Sequence, residues 1–184
     1  MKRSIAVIFT VVSMLFASAC FAQTPPPATP GWTFSTAAGY SNVTNAPTNN
    51  GFANVTELKL SEYIAVRGDV FLMTNPQVIG SYIGPEVIFP ASKVFHTNAN
   101  NPVNASNVEF FFNAKVGDLR STDPNNATKA KFSWGLGTGF NIKLSDKTFI
   151  RPLDVSYIRG SVFQHGGTVL GNHLQLGALV GVHF

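Results

Sequence analysis

"KFSWGLGTGFNIKL", from Lys131 to Leu144, alternates between two kinds of side chain. Phe132, Trp134, Leu136, Thr138, Phe140, Ile142 and Leu144 fall on one face of an extended chain. Lys131, Ser133, Gly135, Gly137, Gly139, Asn141 and Lys143 fall on the other. Residues two apart share a face of a β-strand, so this stretch is a strand with one broad apolar face and one small, polar face. Strands of globular proteins run to about 5–6 residues, whereas a strand that crosses a bilayer at a tilt needs about 9–11. The length of this one points to lipid as the solvent of its apolar face.

The same period recurs along the chain. In "NHLQLGALVGVHF", Asn172 to Phe184, the residues Leu174, Leu176, Ala178, Val180, Val182 and Phe184 alternate with His173, Gln175, Gly177, Leu179, Gly181 and His183. In "VEFFFNAKV", Val108, Phe110, Phe112, Ala114 and Val116 alternate with Glu109, Phe111, Asn113 and Lys115. From Trp32 onward no stretch carries the i, i+3, i+4 pattern of a helix. The expected strands are 32–42, 52–60, 64–73, 78–89, 108–119, 130–144, 148–159 and 172–184. The fold class they imply is all-β: an eight-stranded antiparallel up-and-down transmembrane β-barrel.

Composition agrees. The chain has 184 residues, enough for one domain, and only 12% are charged against 45% hydrophobic. Soluble domains carry about 25% charged residues, so much of this surface is exempt from facing water. Sixteen Phe, two Trp and four Tyr speak against disorder. The opening "MKRSIAVIFTVVSMLFASACFAQ" has a basic start, an apolar run and small residues before Gln23, the pattern of a secretory signal peptide over residues 1–22. Its apolar run is too short for a spanning helix, which needs about 20 residues. Cleavage after Ala22 removes Cys20, the only cysteine, and leaves no disulfide or thiolate metal site. "QTPPPATPG", residues 23–31, reads as a polyproline spacer, and 32–184 as the barrel. Without Lys2 and Arg3, eleven basic residues face nine acidic ones, a balance that suggests no nucleic-acid surface.

An eight-stranded barrel leaves room inside only for side chains. Small and polar residues suit that lumen, and the aromatic and aliphatic face suits lipid, with Trp32, Tyr40, Trp134 and Tyr157 as an interface girdle. Glu57, Lys59, Arg67, Asp69, Glu86, Glu109, Lys115, Lys131 and Lys143 then all fall on the lumen face. Both signs occur in similar number, as mutual neutralisation in a poorly solvated interior requires. Arg151 and Asp154 join this charge network only if a bulge near Pro152 corrects their opposite parity.

From Trp32 to Phe184 the chain resembles the small bacterial outer-membrane β-barrel proteins, the group that includes the barrel of outer membrane protein A and outer membrane protein X. The most specific element is the final strand, whose Leu176, Ala178, Val180, Val182 and terminal Phe184 look like the signal read by the barrel-assembly machinery. "GP" at Gly84-Pro85 and "RPLDVSY" at Arg151–Tyr157 are weaker echoes. The resemblance implies a monomer in the outer-membrane lipid, inserted by that machinery, with short turns "SEY" (61–63) and "SDK" (145–147) on the periplasmic side. Residues 90–107 depart from it, being long for such a turn, and are expected to extend the flanking strands or to hide a miscounted hairpin. No peptidoglycan-binding domain is expected after the barrel, so the anchoring role of the larger members of the group is not carried over.

Local chemistry is sparse. His96, His165, His173 and His183 lack the spacing of a zinc site, and neither a metal nor a cofactor is expected. Ser161, His165 and Asp123 are the residues a rim catalytic site would draw on, but no nucleophile motif surrounds them, so an enzyme is not expected. Sequons at Asn42, Asn54, Asn104 and Asn126 mark turn-rich polar sequence rather than glycosylation. Function is therefore expected in the outer loops "SNVTNAPTNNG", "TNPQ", "RSTDPNNAT" and "GSVFQHGGTVLG". In the last, Val162, Phe163, Val169 and Leu170 are expected to carry the flanking strands beyond the membrane as an edge for a surface partner. The expected role is structural or surface-interacting. The alternative from another class is a narrow channel for ions or very small solutes.

Overall fold

The computed structural model describes residues 33–44, 50–74, 77–94, 107–121, 130–160, 162–164 and 167–184. The leader, Trp32 and the residues Asp123, Ser161 and His165 lie outside them. In chain order the elements are β1 (Thr33–Val43), β2 (Asn50–Lys59), β3 (Ile64–Thr74), β4 (Gln77–Pro90), the single helical turn α1 (Ala91–Val94), β5 (Val108–Ser121), β6 (Lys131–Lys143) and β7 (Thr148–Arg159). The short strands β8 (Val162–Gln164) and β9 (Gly167–Leu170) precede β10 (His173–His183). Eight of these, β1 to β7 and β10, pair antiparallel with their neighbours in sequence, and β10 returns to β1 to close the barrel. The closing seam runs from Ser35↔His183 to Val43↔Gln175. Closure removes every edge strand, which is what allows a sheet to sit in lipid with its backbone satisfied.

Alternation of burial along each strand shows which face is which. On β10, Leu174, Leu176, Ala178 and Val180 are exposed while His173, Leu179 and Gly181 are buried. On β6, Phe132, Leu136 and Thr138 are exposed and Ser133, Gly135, Gly137, Gly139 and Asn141 are buried. Phe132 at 74% and Val180 at 65% relative exposure are far too open for a protein in water, so the outer wall is the lipid face. Tyr40, Trp134 and Tyr157 all stand on it, near the loop end. Phe34 and Phe184 pack together at the other end with ring centres 5.9 Å apart.

At the turn end, β2–β3 and β6–β7 are joined by serine-anchored turns. Ser61 Oγ accepts from the backbone N–H of Tyr63 and Ile64, and Ser145 Oγ accepts from those of Lys147 and Thr148. These side chains replace the backbone partners that so short a link cannot supply. Of the β4–β5 link at this end, residues 95–106 lie outside the described residues, and its described flanks do not extend the strands as expected. The strand count stands at eight, β4 stops at Pro90, and α1 follows with Ala91 buried. Proline has no N–H to donate to a continuing ladder, so the chain leaves the sheet there.

Two register features depend on proline and on the loops. Opposite β7, Phe140 pairs with Leu153 and Ile142 with Ile150, while Gly177 pairs with Asp154 and Leu179 with Arg151. One extra residue therefore sits in β7 at Pro152, a bulge that turns Pro152 and Leu153 both outward and Arg151 and Asp154 both inward. At the loop end, β8 and β9 form a two-stranded sheet of their own instead of prolonging β7 and β10. β8 lies beside β5, so the hairpin leans over the barrel mouth rather than standing up as a free edge.

The two faces should answer differently to substitution, as urea titration of the refolded barrel would show. Val180→Arg places a charge in lipid near mid-span and should cost about 2–4 kcal/mol. On the inner face, a Cβ on Gly181 would meet the Phe149 ring at 2.3 Å and Ala37 at 2.8 Å, whereas one on Gly177 meets nothing closer than 3.3 Å. Gly181→Ala should therefore destabilise by about 1–3 kcal/mol through overpacking, and Gly177→Ala should be tolerated.

Candidate functional site

Among the described residues, the lumen gathers most of the paired charge. Arg67 on β3 donates Nε to Asp69 Oδ1 at 2.6 Å, Nη1 to Glu86 Oε2 at 3.0 Å and Nη2 to Asp154 Oδ2 at 2.5 Å. Arg151 on β7 donates to Glu57, to Asp154 at 3.3 Å and, through Nε, to Asn141 Oδ1 at 2.7 Å. Lys115 on β5 donates to Asp69 Oδ2 at 2.5 Å. Ser35 on β1 donates to Glu57 at 3.4 Å. All seven charged groups are less than a tenth exposed. They form a belt that ties β2, β3, β4, β5 and β7 together across the barrel. Arginine suits its centre because one planar guanidinium can serve three carboxylates at fixed angles.

A second group lies at the turn end. Glu109 accepts from Lys59 at 3.1 Å and from Lys143 at 2.8 Å, and both lysines reach partly into solvent. Belt and rim together set five cations against five carboxylates. Lys131 is the exception among the expected lumen charges. It is the first residue of β6, paired with the fully buried Leu119, and its side chain is exposed at the loop-end mouth above the packed interior. No carboxylate of the belt lies at that level.

Aromatic rings separate these polar layers. The Phe111 ring carries Arg67 on it at 5.2 Å and Arg151 at 4.2 Å, and Phe149 stacks on His183 at 4.6 Å between centres. Toward the loop end Phe71 stacks on Tyr82, with ring centres 6.1 Å apart, and meets His173 edge-on at the same distance. Ser133 donates to the Tyr82 hydroxyl at 3.1 Å. Above them Val43, Met73, Val78, Leu119, Ile158 and Leu170 are all fully buried and form an apolar layer across the mouth. Leu170 comes from the hairpin, so the loop helps to close the top.

Strand β6 makes this filling possible. Gly135, Gly137 and Gly139 leave a bare strip along the inner wall, and neighbouring side chains occupy it. Ile158 lies over Gly135, Ser156 and Asn113 over Gly137, and Phe111 over Gly139, each within 2.7 Å of where a Cβ would be. Glycine is required at these three positions because the lumen has no other place for those groups.

Parity of charge and glycine marked the belt and the bare strip in the sequence. The apolar layer was not legible, because Val43, Met73, Val78, Leu119 and Ile158 look like any strand residue until the register places them at one height. Among the described residues, no group of three or more His, Cys, Asp or Glu side chains is arranged to hold a metal ion. His173 and His183 face the lumen on the same strand, one at each end.

No protein-family model matches the chain. No curated protein matches it either. Solved structures do. Neisserial surface protein A is similar over 84% of this chain and 96% of its own, at 11% identity and a TM-score of 0.50. The N-terminal β-barrel domain of Pseudomonas aeruginosa OprF is similar over 83% of this chain and 97% of its own, at 9% identity and a TM-score of 0.54. The fold is that of the small outer-membrane β-barrels. At such low identity the similarity is one of fold alone, a closed barrel of eight strands.

In a belt of this kind the members do not contribute equally. Arg67→Ala takes from the buried Glu86 the cation it is paired with, and from Asp69 and Asp154 one of two partners each, and should cost about 3–5 kcal/mol. Lys143→Ala, at a rim where the side chain is 39% exposed, should cost about 0–1 kcal/mol after screening. Urea midpoints of the two refolded variants, compared with the parent, measure the difference.

Proposed function

We propose that this is an integral protein of the bacterial outer membrane that acts from its surface, with a structural or surface-interacting role carried by the loop end and no catalysis. The observation that carries the reading is the filled lumen. From turn end to loop end it contains a paired rim, an aromatic layer, a charge belt, a second aromatic layer and an apolar layer. A conduit needs water along its whole length, and the apolar layer interrupts it. What is left for a partner is the outside: the lipid-facing wall, which sets the depth of the barrel, and the loops and the β8–β9 hairpin held above it. Neisserial surface protein A, which shares the fold, is by its name a surface protein, which accords with this reading.

The leader 1–22 would serve as a signal peptide for export. The outward residues Leu176, Ala178, Val180, Val182 and Phe184 would be read by the assembly machinery, after which the protein would stand as a monomer in lipid. Phe184 fits such a role in position: its N–H donates to Phe34 O at 2.8 Å, so the last strand is sealed to the first up to its final residue.

A narrow channel is the rival, and one observation favours it. A cavity of about 10 Å³, room for about one water, lies among Arg67, Asp69, Lys115 and Asp154. Planar-bilayer recording of the refolded protein decides between the two. Insertion without stable openings, in both the parent and Lys59→Ala, is the expected result. Stable openings whose size changes with Lys59 would replace the surface reading with the channel.

The loop end offers a separate check. Replacing residues 162–169 by a short Gly/Ser linker, with Leu170 kept, should leave the folded barrel's electrophoretic mobility unchanged and reduce binding of the expressing cells to surfaces or host proteins. An unchanged panel of such interactions would remove the hairpin from the proposal.

A further inference from the structure

Three cations crowd the loop end on one side of the barrel. Leu119 on β5 and Ile158 on β7 both belong to the apolar layer across the mouth. The residues that follow them, Arg120 and Arg159, therefore point outward at about one height, and both are exposed. Between them β6 carries Phe132, paired with Asp118, and Trp134, paired with Arg159, on the same outer face. Lys131, next to Phe132 and opposite Leu119, is exposed at the rim above. On β1 and β4 the outward neighbours of the layer, Asn42 beside Val43 and Ile79 beside Val78, are uncharged.

These cations are short of partners. Asp118 Oδ2 lies 3.8 Å from Arg120 Nε, a loose pair with both side chains partly open. Among the described residues no carboxylate pairs with Arg159 or Lys131. The Arg159 guanidinium lies 6.0 Å from the centre of the Trp134 ring, which holds it against the wall without neutralising it. Three cations against one carboxylate leave a surplus of two positive charges at the level of the aromatic girdle. Below them the wall is apolar: Phe132 is the most exposed large apolar side chain among the described residues, and Leu136 follows it down β6.

That combination selects the ligand. A metal ion is repelled by the surplus charge, and a freely soluble anion makes no use of the apolar wall. An amphiphile with an anionic head uses both. Backbones two strands apart are about 10 Å from each other, so arginine side chains reaching from β5 and β7 can close on one group over Phe132. A guanidinium fork matches phosphate oxygens, and a phosphate monoester, with a charge of about −1.5 to −2 at neutral pH, balances the surplus. We propose that Arg120 and Arg159, with Lys131 at the rim between them, bind the phosphate monoester of an outer-leaflet lipid whose acyl chains run down the wall over Phe132 and Leu136. The proposal rests on the membrane reading and goes beyond the surface role of the loops, which stands whether or not a lipid is held here.

Brominated lipids test it, because bromine on an acyl chain quenches a tryptophan only at contact range. The refolded protein, carrying Trp32→Phe so that Trp134 reports alone, is placed in phosphatidylcholine bilayers that contain dibrominated phosphatidic acid or, in parallel, dibrominated phosphatidylcholine. Phosphatidic acid is expected to quench as though enriched by about fivefold or more beside Trp134, an excess that Arg120→Gln and Arg159→Gln each reduce and together abolish. Equal quenching by the two lipids overturns the proposal, as does an excess that survives both substitutions. Reversal of the excess by inorganic phosphate also overturns it, assigning the arginines to a free anion. Quenching by neither lipid means that Trp134 does not face lipid, and the membrane reading falls with the proposal. If the double variant fails to insert, as its electrophoretic mobility without heating would show, the two single variants decide.

Discussion

A charge inside an eight-stranded barrel has nowhere to go. Lipid lies outside the wall and the lumen is only as wide as the side chains that fill it, so a buried carboxylate or guanidinium must find its counterpart on another strand. Arg67 is where that constraint is met most densely. It reaches Glu86 on the adjacent strand and Asp154 on β7, 87 residues away in sequence. Arg151 answers from the other side, meeting Glu57 on β2 across 94 residues. These links span the barrel where a water-soluble domain would have an apolar core, and they are directional, so they fix which strands face one another as well as holding them.

The rest of the interior follows from accommodating that belt. The side chains that pack around it need space, and the glycines of β6 provide it along one wall for Ile158, Ser156, Asn113 and Phe111. Flat rings pack against the guanidinium planes, as Phe111 does with both arginines, and separate the belt from the rim pair around Glu109. The bulge at Pro152 is part of the same solution. A regular β7 would send either Arg151 or Asp154 into lipid, and one extra residue brings both inside. The missing N–H of Pro152 then falls where the ladder is already interrupted.

The lumen is closed at the loop end by apolar side chains. A polar belt alone would be compatible with water on both sides. The layer of Val43, Met73, Val78, Leu119, Ile158 and Leu170 excludes it from above, with Leu170 supplied by a hairpin that leans across the mouth. That arrangement joins the lumen to the loop end: a residue of β9, outside the barrel wall, helps to seal the interior.

The sequence by itself determined the strands, their number, the two faces and the sign of the solvent outside. Those depend on a period of two, on strand length and on composition, all of which are local properties of the chain. It also assigned eleven charges to the lumen, of which ten meet there, because parity is local as well, and it required a bulge at Pro152. Tertiary structure alone decided heights and partners. Lys131 has the parity of the belt but sits at the mouth, because its distance along the barrel axis depends on the shear of all eight strands. Residues 162–170 have strand-like sequence but pair with each other, since whether they prolong β7 and β10 depends on what lies across the opening. The apolar layer was invisible for the same reason: it is assembled from residues on different strands, and only closure of the barrel brings them level.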